Sequence, residues 1–96
     1  MAIIHRIREK VEKQEYEFTI SHFFEEMAND NLTFADIEMA IAKGRVRRKF
    51  TRDPRGIRYE VIGPARDMRE IGIICRIKST GKLLFITTYA GEEEAE

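Results

Sequence analysis

Apolar residues in the first part of the chain recur at steps of three and four, and from Arg45 onward they recur at nearly every second position. The first spacing fits one face of an α-helix and the second a half-buried strand. Ile4, Ile7 and Val11 predict an amphipathic helix over 2–13, with Glu9 and Lys13 one turn apart as an ion pair. Tyr16 to Ile20 alternates weakly and reads as a strand or a connection. Ser21 then stands as the cap of a short helix with Phe24 and Met27 inward, closed by Asn29, Asp30 and Asn31. A third helix has the clearest start. Thr33 is its N-cap, Asp36 sits at N3 where a carboxylate favours the helix terminus, and Leu32 can staple against Ile37. Phe34, Ile37 and Ile41 form its inward stripe, and Gly44 ends it in the C′ position.

The period-two stretch predicts four strands, at 45–51, 57–63, 69–78 and 82–89. Asp53-Pro54-Arg55-Gly56, Gly63-Pro64 and Ser79-Thr80-Gly81 supply the turns between them. Connections this short require antiparallel neighbours, because a parallel crossover takes about a dozen residues or more. The expected fold is therefore α+β: N-terminal helices packed on one face of a four-stranded antiparallel sheet, through Ile73, Cys75, Ile77 and Phe85.

At 96 residues the chain is long enough for one core but not two, so a single domain over 1–91 is expected, followed by an acidic, mobile tail at 92–96. Charged residues make up 35%, balanced by 43% hydrophobic residues, which indicates a charged surface on a folded chain. No run approaches the roughly 18 to 20 apolar residues that cross a bilayer. The charges that follow Ile4 leave no room for a signal-peptide core, so a cytoplasmic location is expected. One cysteine and two histidines exclude a disulfide framework and a spaced zinc site. No Gly-rich phosphate loop, paired-carboxylate motif or nucleophile elbow is present, and no cofactor is expected.

Overall neutrality hides a partition. Residues 1–42 hold 4 basic and 9 acidic residues, 43–82 hold 13 basic and 4 acidic, and 83–96 hold 4 acidic and none basic. Alternation along the first strand gathers Arg45, Arg47 and Lys49 on one face, with Val46 and Phe50 on the other and Arg48 breaking the series. Arg58, Arg76 and Lys78 can extend that face beside Tyr59 or Tyr89. Cations that attract phosphates, next to aromatics that stack on unpaired bases, form the usual division of labour in single-stranded RNA binding. The plainer reading is a solvated face whose Lys and Arg residues prevent edge-to-edge strand pairing.

His22 is the histidine inside the predicted fold, whereas His5 lies on the charged face of the first helix. Near neutral pH an imidazole can act as general acid or base. With an arginine to stabilise a pentavalent phosphate, and Thr88 or Tyr89 to orient the ribose, His22 would support metal-free RNA cleavage. The competing role is capping or packing at a helix start. Cys75, between isoleucines on an alternating strand, reads as core.

The stretch from Phe18 to Tyr89 resembles a small bacterial family, the domain of unknown function numbered 4258. The residues that carry the resemblance are His22 with Met27, and the helix from Thr33 to Gly44 containing Asp36-Ile37 and Ala40-Ile41. The Asp53-Pro54-Arg55-Gly56 turn with Tyr59, and the closing Thr87-Thr88-Tyr89, complete it. The resemblance implies a helix-then-sheet fold similar to RelE-like and MqsR-like toxins, and a toxin component paired with a small antitoxin-like protein. Phe23 and Glu26 stand where the family pattern has alanine and arginine, and Ile71 where a histidine is common. These departures remove polar groups from the implied site and fit a member that binds without cutting.

Two functions follow as expectations. The first is a toxin-like RNA-binding protein or metal-independent endoribonuclease, with His22, Arg58, Arg76 and Tyr89 as catalytic candidates and Arg45, Arg47, Lys49 and Lys78 as RNA or anion contacts. The second is a non-enzymatic module that docks an acidic protein on the basic sheet face.

Overall fold

In the computed structural model, which describes residues 2–19 and 21–91, three helices and five strands follow one another along the chain. The tail predicted at 92–96 lies outside the described residues. Helix α1 (Ile3–Glu12) buries Ile7 and half-buries Ile3, Ile4 and Val11, as the spacing predicts. Lys13 Nζ lies 3.3 Å from Glu9 on its exposed side. Strand β1 (Tyr16–Phe18) leads into helix α2 (His22–Asn29), then helix α3 (Phe34–Lys43). Strands β2 (Arg45–Phe50), β3 (Arg58–Pro64), β4 (Glu70–Ile77) and β5 (Leu83–Ala90) complete the chain.

The sheet has five strands in the order β1-β5-β4-β3-β2. The four later strands form the expected antiparallel meander, but β1 adds a fifth strand, parallel to β5, with Tyr16 opposite Leu83 and Phe18 opposite Phe85. A three-residue strand has no period of its own to read. Its partner lies more than sixty residues away, and the long path between them is what a parallel pair requires. The Gly63-Pro64 break also shifts. Both residues belong to β3, Pro64 pairs with Glu70 at the strand end, and the turn follows it.

All three helices contribute to one core on one face of the sheet. Ile7, Phe23, Ile37 and Ile41 meet Val61, Ile71, Ile73, Cys75, Leu83 and Phe85 there. Tyr16, Phe18, Phe23, Phe34 and Phe85 form a ring cluster with centroid separations of 5.2 to 5.7 Å. On α2 it is Phe23 rather than Phe24 that turns inward. Phe23 and Met27 are one turn apart, whereas Phe24 lies about 100° round the helix and is 51% exposed. Phe23 and Ile71 are fully buried core residues. Ser21 occupies the N-cap position of α2 at φ 67° but makes no capping hydrogen bond with its side chain.

The start of α3 is as predicted. Asp36 accepts from the Thr33 amide (2.9 Å) and, through its other oxygen, from the Arg66 amide (2.8 Å), tying the helix to the β3–β4 turn. The end of α3 differs in its reason. Gly44 does not adopt the left-handed conformation of a C′ glycine; at φ −94° and ψ −164° it is extended. A Cβ there would lie 2.1 Å from the Ile62 carbonyl oxygen and 2.3 Å from that of Ala40, so close approach of helix to strand requires the glycine. Arg8 of α1 donates to the carbonyls of Ile41 and Gly44, both at 2.9 Å, and closes the end of α3. Among the described residues no helix is long and apolar enough to cross a membrane.

Candidate anion-binding face

The helices pack on one face of the sheet, and strand register decides what lines the other, which among the described residues α2 touches only at its β5 margin, where Thr87 donates to Glu26 at 3.4 Å. Opposed residues share a face. Arg48 faces Glu60, Phe50 faces Arg58, and Ile62 faces Gly72; Glu60 faces Ile74, and Gly72 faces Tyr89. With Arg76, two residues on from Ile74, these residues line the open face.

A β-bulge between Val46 and Arg48 breaks the simple alternation expected of β2. Arg45 and Lys49 therefore do not share a face: Arg45 opposes Ile62 on the open side, while Lys49 opposes Tyr59 on the helix side. Arg47 is the extra residue of the bulge, and Arg48 joins the open face. Both guanidinium groups fork onto one carboxylate. Arg47 Nε and Nη2 donate to Glu60 Oε1 and Oε2 at 2.9 and 3.0 Å, and Arg48 Nε and Nη2 donate to the same pair at 2.8 and 3.2 Å. The Tyr89 hydroxyl donates to Glu60 Oε2 and accepts from Arg47 Nη2 at 3.1 Å.

Glu60 is fully buried at the centre of this face. Burial alone pushes its carboxyl up, but the hydrogen bonds from Arg47, Arg48 and Tyr89 together outweigh burial and hold the pKa at about 2. The same environment, burial first and then Glu60, pushes the Tyr89 phenol up to about 12. These groups seal Ile62 and Ile74, which are buried yet stand apart from the helix-side core. The cluster is a lid on the sheet, and its cations are engaged by their carboxylate.

The second carboxylate of the face behaves differently. Asp53, in the β2–β3 loop, accepts from the Arg55 amide (2.9 Å) and from Arg55 Nε (3.3 Å). Arg58 Nε and Arg76 Nη1 lie 3.3 and 3.9 Å from its Oδ2. The amide of Arg55 and the nearby guanidinium groups hold Asp53 below the usual carboxylate range. The Arg58 Nε, although buried, has no hydrogen-bond partner despite that proximity. Beside it, the guanidinium carbons of Arg58 and Arg48 lie 5.1 and 5.6 Å from the centroid of the Phe50 ring. Three arginines thus share one carboxylate in loose geometry, next to an aromatic ring.

The structure brings Arg58, Arg76 and Tyr89 onto one face but leaves His22 outside it. His22 begins α2 beside the core residue Phe23 and is exposed, and among the described residues no hydrogen bond or ion pair joins it to that set. Thr88 is also on the helix side, fully buried, and donates to the Gly72 carbonyl at 2.8 Å. Lys78 follows the middle strand β4, two residues beyond Arg76, and its Nζ is turned to Glu17 of the edge strand β1 at 2.8 Å, so it is engaged away from the Asp53 cluster. Cys75 is buried in the core, where burial pushes its thiol up to about 12. Among the described residues no group of three or more His, Cys, Asp or Glu is placed to hold a metal ion.

Glu60, Asp53 and Arg55 were not among the candidates read from the sequence. The available signal for Glu60 was a lone carboxylate in the otherwise apolar run from Tyr59 to Ile62. A charge at a central-strand position calls for partners, and the arginines of β2 supply them.

Residues 20–90 match the family described as a domain of unknown function (DUF4258). No curated relative and no solved structure matches the chain. The family match covers most of the sequence, and the chain belongs to this family.

Proposed function

We propose that the chain binds single-stranded RNA through the open face of its sheet, as a toxin-like protein with a fold similar to that of RelE-like and MqsR-like toxins. The observation that carries this reading is the grouping of Phe50 with Arg48 and Arg58 beside the loosely held Asp53 cluster. Guanidinium groups attract phosphates and stack on bases, and an aromatic ring adds a second stacking surface. A face open along its length suits a flexible single strand better than a small metabolite, which is normally enclosed in a pocket. His22 lies on α2, whose Phe23 and Met27 pack into the helix-side core, and makes no hydrogen bond with these residues, which favours binding over His22-dependent cleavage.

A second reading rests on β2, an edge strand that pairs only with β3 among the described residues and is rich in cations. An acidic, antitoxin-like segment can add to such an edge as a further strand.

The two readings separate by fluorescence anisotropy of a labelled single-stranded RNA over a salt series. RNA binding is expected at low salt, with log affinity falling by roughly 0.7 per tenfold rise in salt for each phosphate neutralised. No binding at low salt overturns the RNA reading and favours the acidic protein partner.

A further inference from the structure

The loop that follows β2 contains a cleft of about 500 Å3, lined by Lys49, Phe50, Arg52, Asp53, Arg55 and Arg58 among others. Its charge is uneven: one carboxylate faces four cations, and that carboxylate is already engaged with Arg55, Arg58 and Arg76. The Arg55 side chain is 77% exposed, Arg52 and Lys49 are exposed, and the buried Arg58 Nε has no hydrogen-bond partner despite lying beside Asp53. This contrasts with the Glu60 cluster, where both guanidiniums are fixed by paired hydrogen bonds on a carboxylate that no ligand can reach. The basic surface is thus divided into a locked part and an available part.

We propose that this cleft is a nucleotide site, taking one phosphate of an RNA strand against Arg52 and Arg55 while the attached base lies against Phe50 and the Arg58 guanidinium. The inference rests on the RNA-binding reading and locates its principal contact. Three features support it. A phosphate supplies the acceptor oxygens that excess cations lack in the free protein, and arginine's planar fork suits phosphate. The ring of Phe50, half-buried and attended by two guanidiniums, offers a planar surface at the cleft wall. The loop backbone is fixed by the Asp53 side chain on the Arg55 amide and by the Gly56 amide on the Asp53 carbonyl, with Gly56 at φ 127°. A preordered loop binds at lower entropic cost.

The test is an amide chemical-shift titration with adenosine 5′-monophosphate, adenosine and inorganic phosphate in turn, combined with RNA anisotropy of the Arg52→Ala/Arg55→Ala variant. The monophosphate is expected to shift amides of residues 49–58 and to bind more tightly than either of its halves. The double variant is expected to lose those shifts and to lower the RNA salt slope by roughly 0.7, the share of the one phosphate held in the cleft. Its helix and sheet amides elsewhere should superimpose on the parent spectrum, because both side chains are exposed. RNA binding with unshifted loop amides and a parental slope in the double variant overturns the nucleotide site and leaves the RNA reading standing. No RNA binding by the parent chain overturns both.

Discussion

The ring of Tyr89 lies directly across the backbone of Gly72, so closely that a Cβ at that glycine would sit 2.1 Å from Tyr89 Cζ and 2.3 Å from its hydroxyl oxygen. Only a residue without a side chain lets the phenol cross β4 and reach Glu60 on β3. Gly72→Ala is therefore expected to push the hydroxyl off Glu60 and to destabilise the chain by about 1 to 3 kcal/mol, through a lost hydrogen bond to a charged group. Chemical denaturation measures it. Tyr89→Phe should reproduce much of the loss while leaving the backbone unchanged.

Among the residues of the open face, Glu60 is expected to matter most for stability. Glu60→Ala leaves Arg47 and Arg48 facing each other without their shared carboxylate; each is at least one-third exposed, so water moderates the penalty to about 2 to 4 kcal/mol. Arg47→Ala and Arg48→Ala should cost less individually, because the other guanidinium remains. A double-mutant cycle should show them non-additive.

The same carboxylate sets a pH dependence. Its folded pKa of about 2 lies below the ordinary 4.5, so the unfolded chain takes up a proton first as pH falls. The stabilisation is complete above about pH 4.5 and is lost as pH falls toward 2; Asp36 and Asp53, also held low, act in the same direction. Denaturation midpoints measured between pH 2 and 6 should fall with acidification. The slope should be shallower in Glu60→Gln.

On α3, Ile37→Ala is expected to cost about 2 to 5 kcal/mol by emptying a fully buried site. Thr33→Ala should cost roughly 1 kcal/mol. Asp36→Ala should cost more than Thr33→Ala, since Asp36 serves both the Thr33 amide and the Arg66 amide. Thermal melting that shows the reverse order would remove Asp36 as the link between helix and turn.

What could be read from the sequence was local. The stripe of Ile4, Ile7 and Val11, the Thr33 start of α3 and the four antiparallel strands all follow from spacing and turn residues, and the strand limits agree within one residue. What escaped depends on pairing between distant segments. The parallel β1 needs β5, and the bulge at Arg47 is created by registry with β3. That bulge moves Lys49 to the helix side and brings Arg47 and Arg48 together over Glu60, so period-two reasoning grouped the wrong cations. The site was legible as a basic, aromatic-flanked sheet face, but the separation of His22 from Arg58, Arg76 and Tyr89 required knowing which side of the sheet α2 covers.

That separation gives a direct contrast for RNA binding. Arg58→Ala is expected to weaken single-stranded RNA binding about tenfold, through loss of a phosphate or stacking contact beside Phe50. His22→Ala should leave affinity unchanged. Equal effects of the two substitutions in anisotropy titrations would show that the strand reaches both sides of the sheet.

The most direct measurement is an amide chemical-shift map of the parent chain as a short single-stranded RNA is added. Shifts are expected along residues 48–58 and around Ile74 and Arg76, with the helices α1, α2 and α3 unmoved. Shifts centred on His22 and the rest of α2, with the β2–β3 loop silent, would contradict an RNA-binding open face.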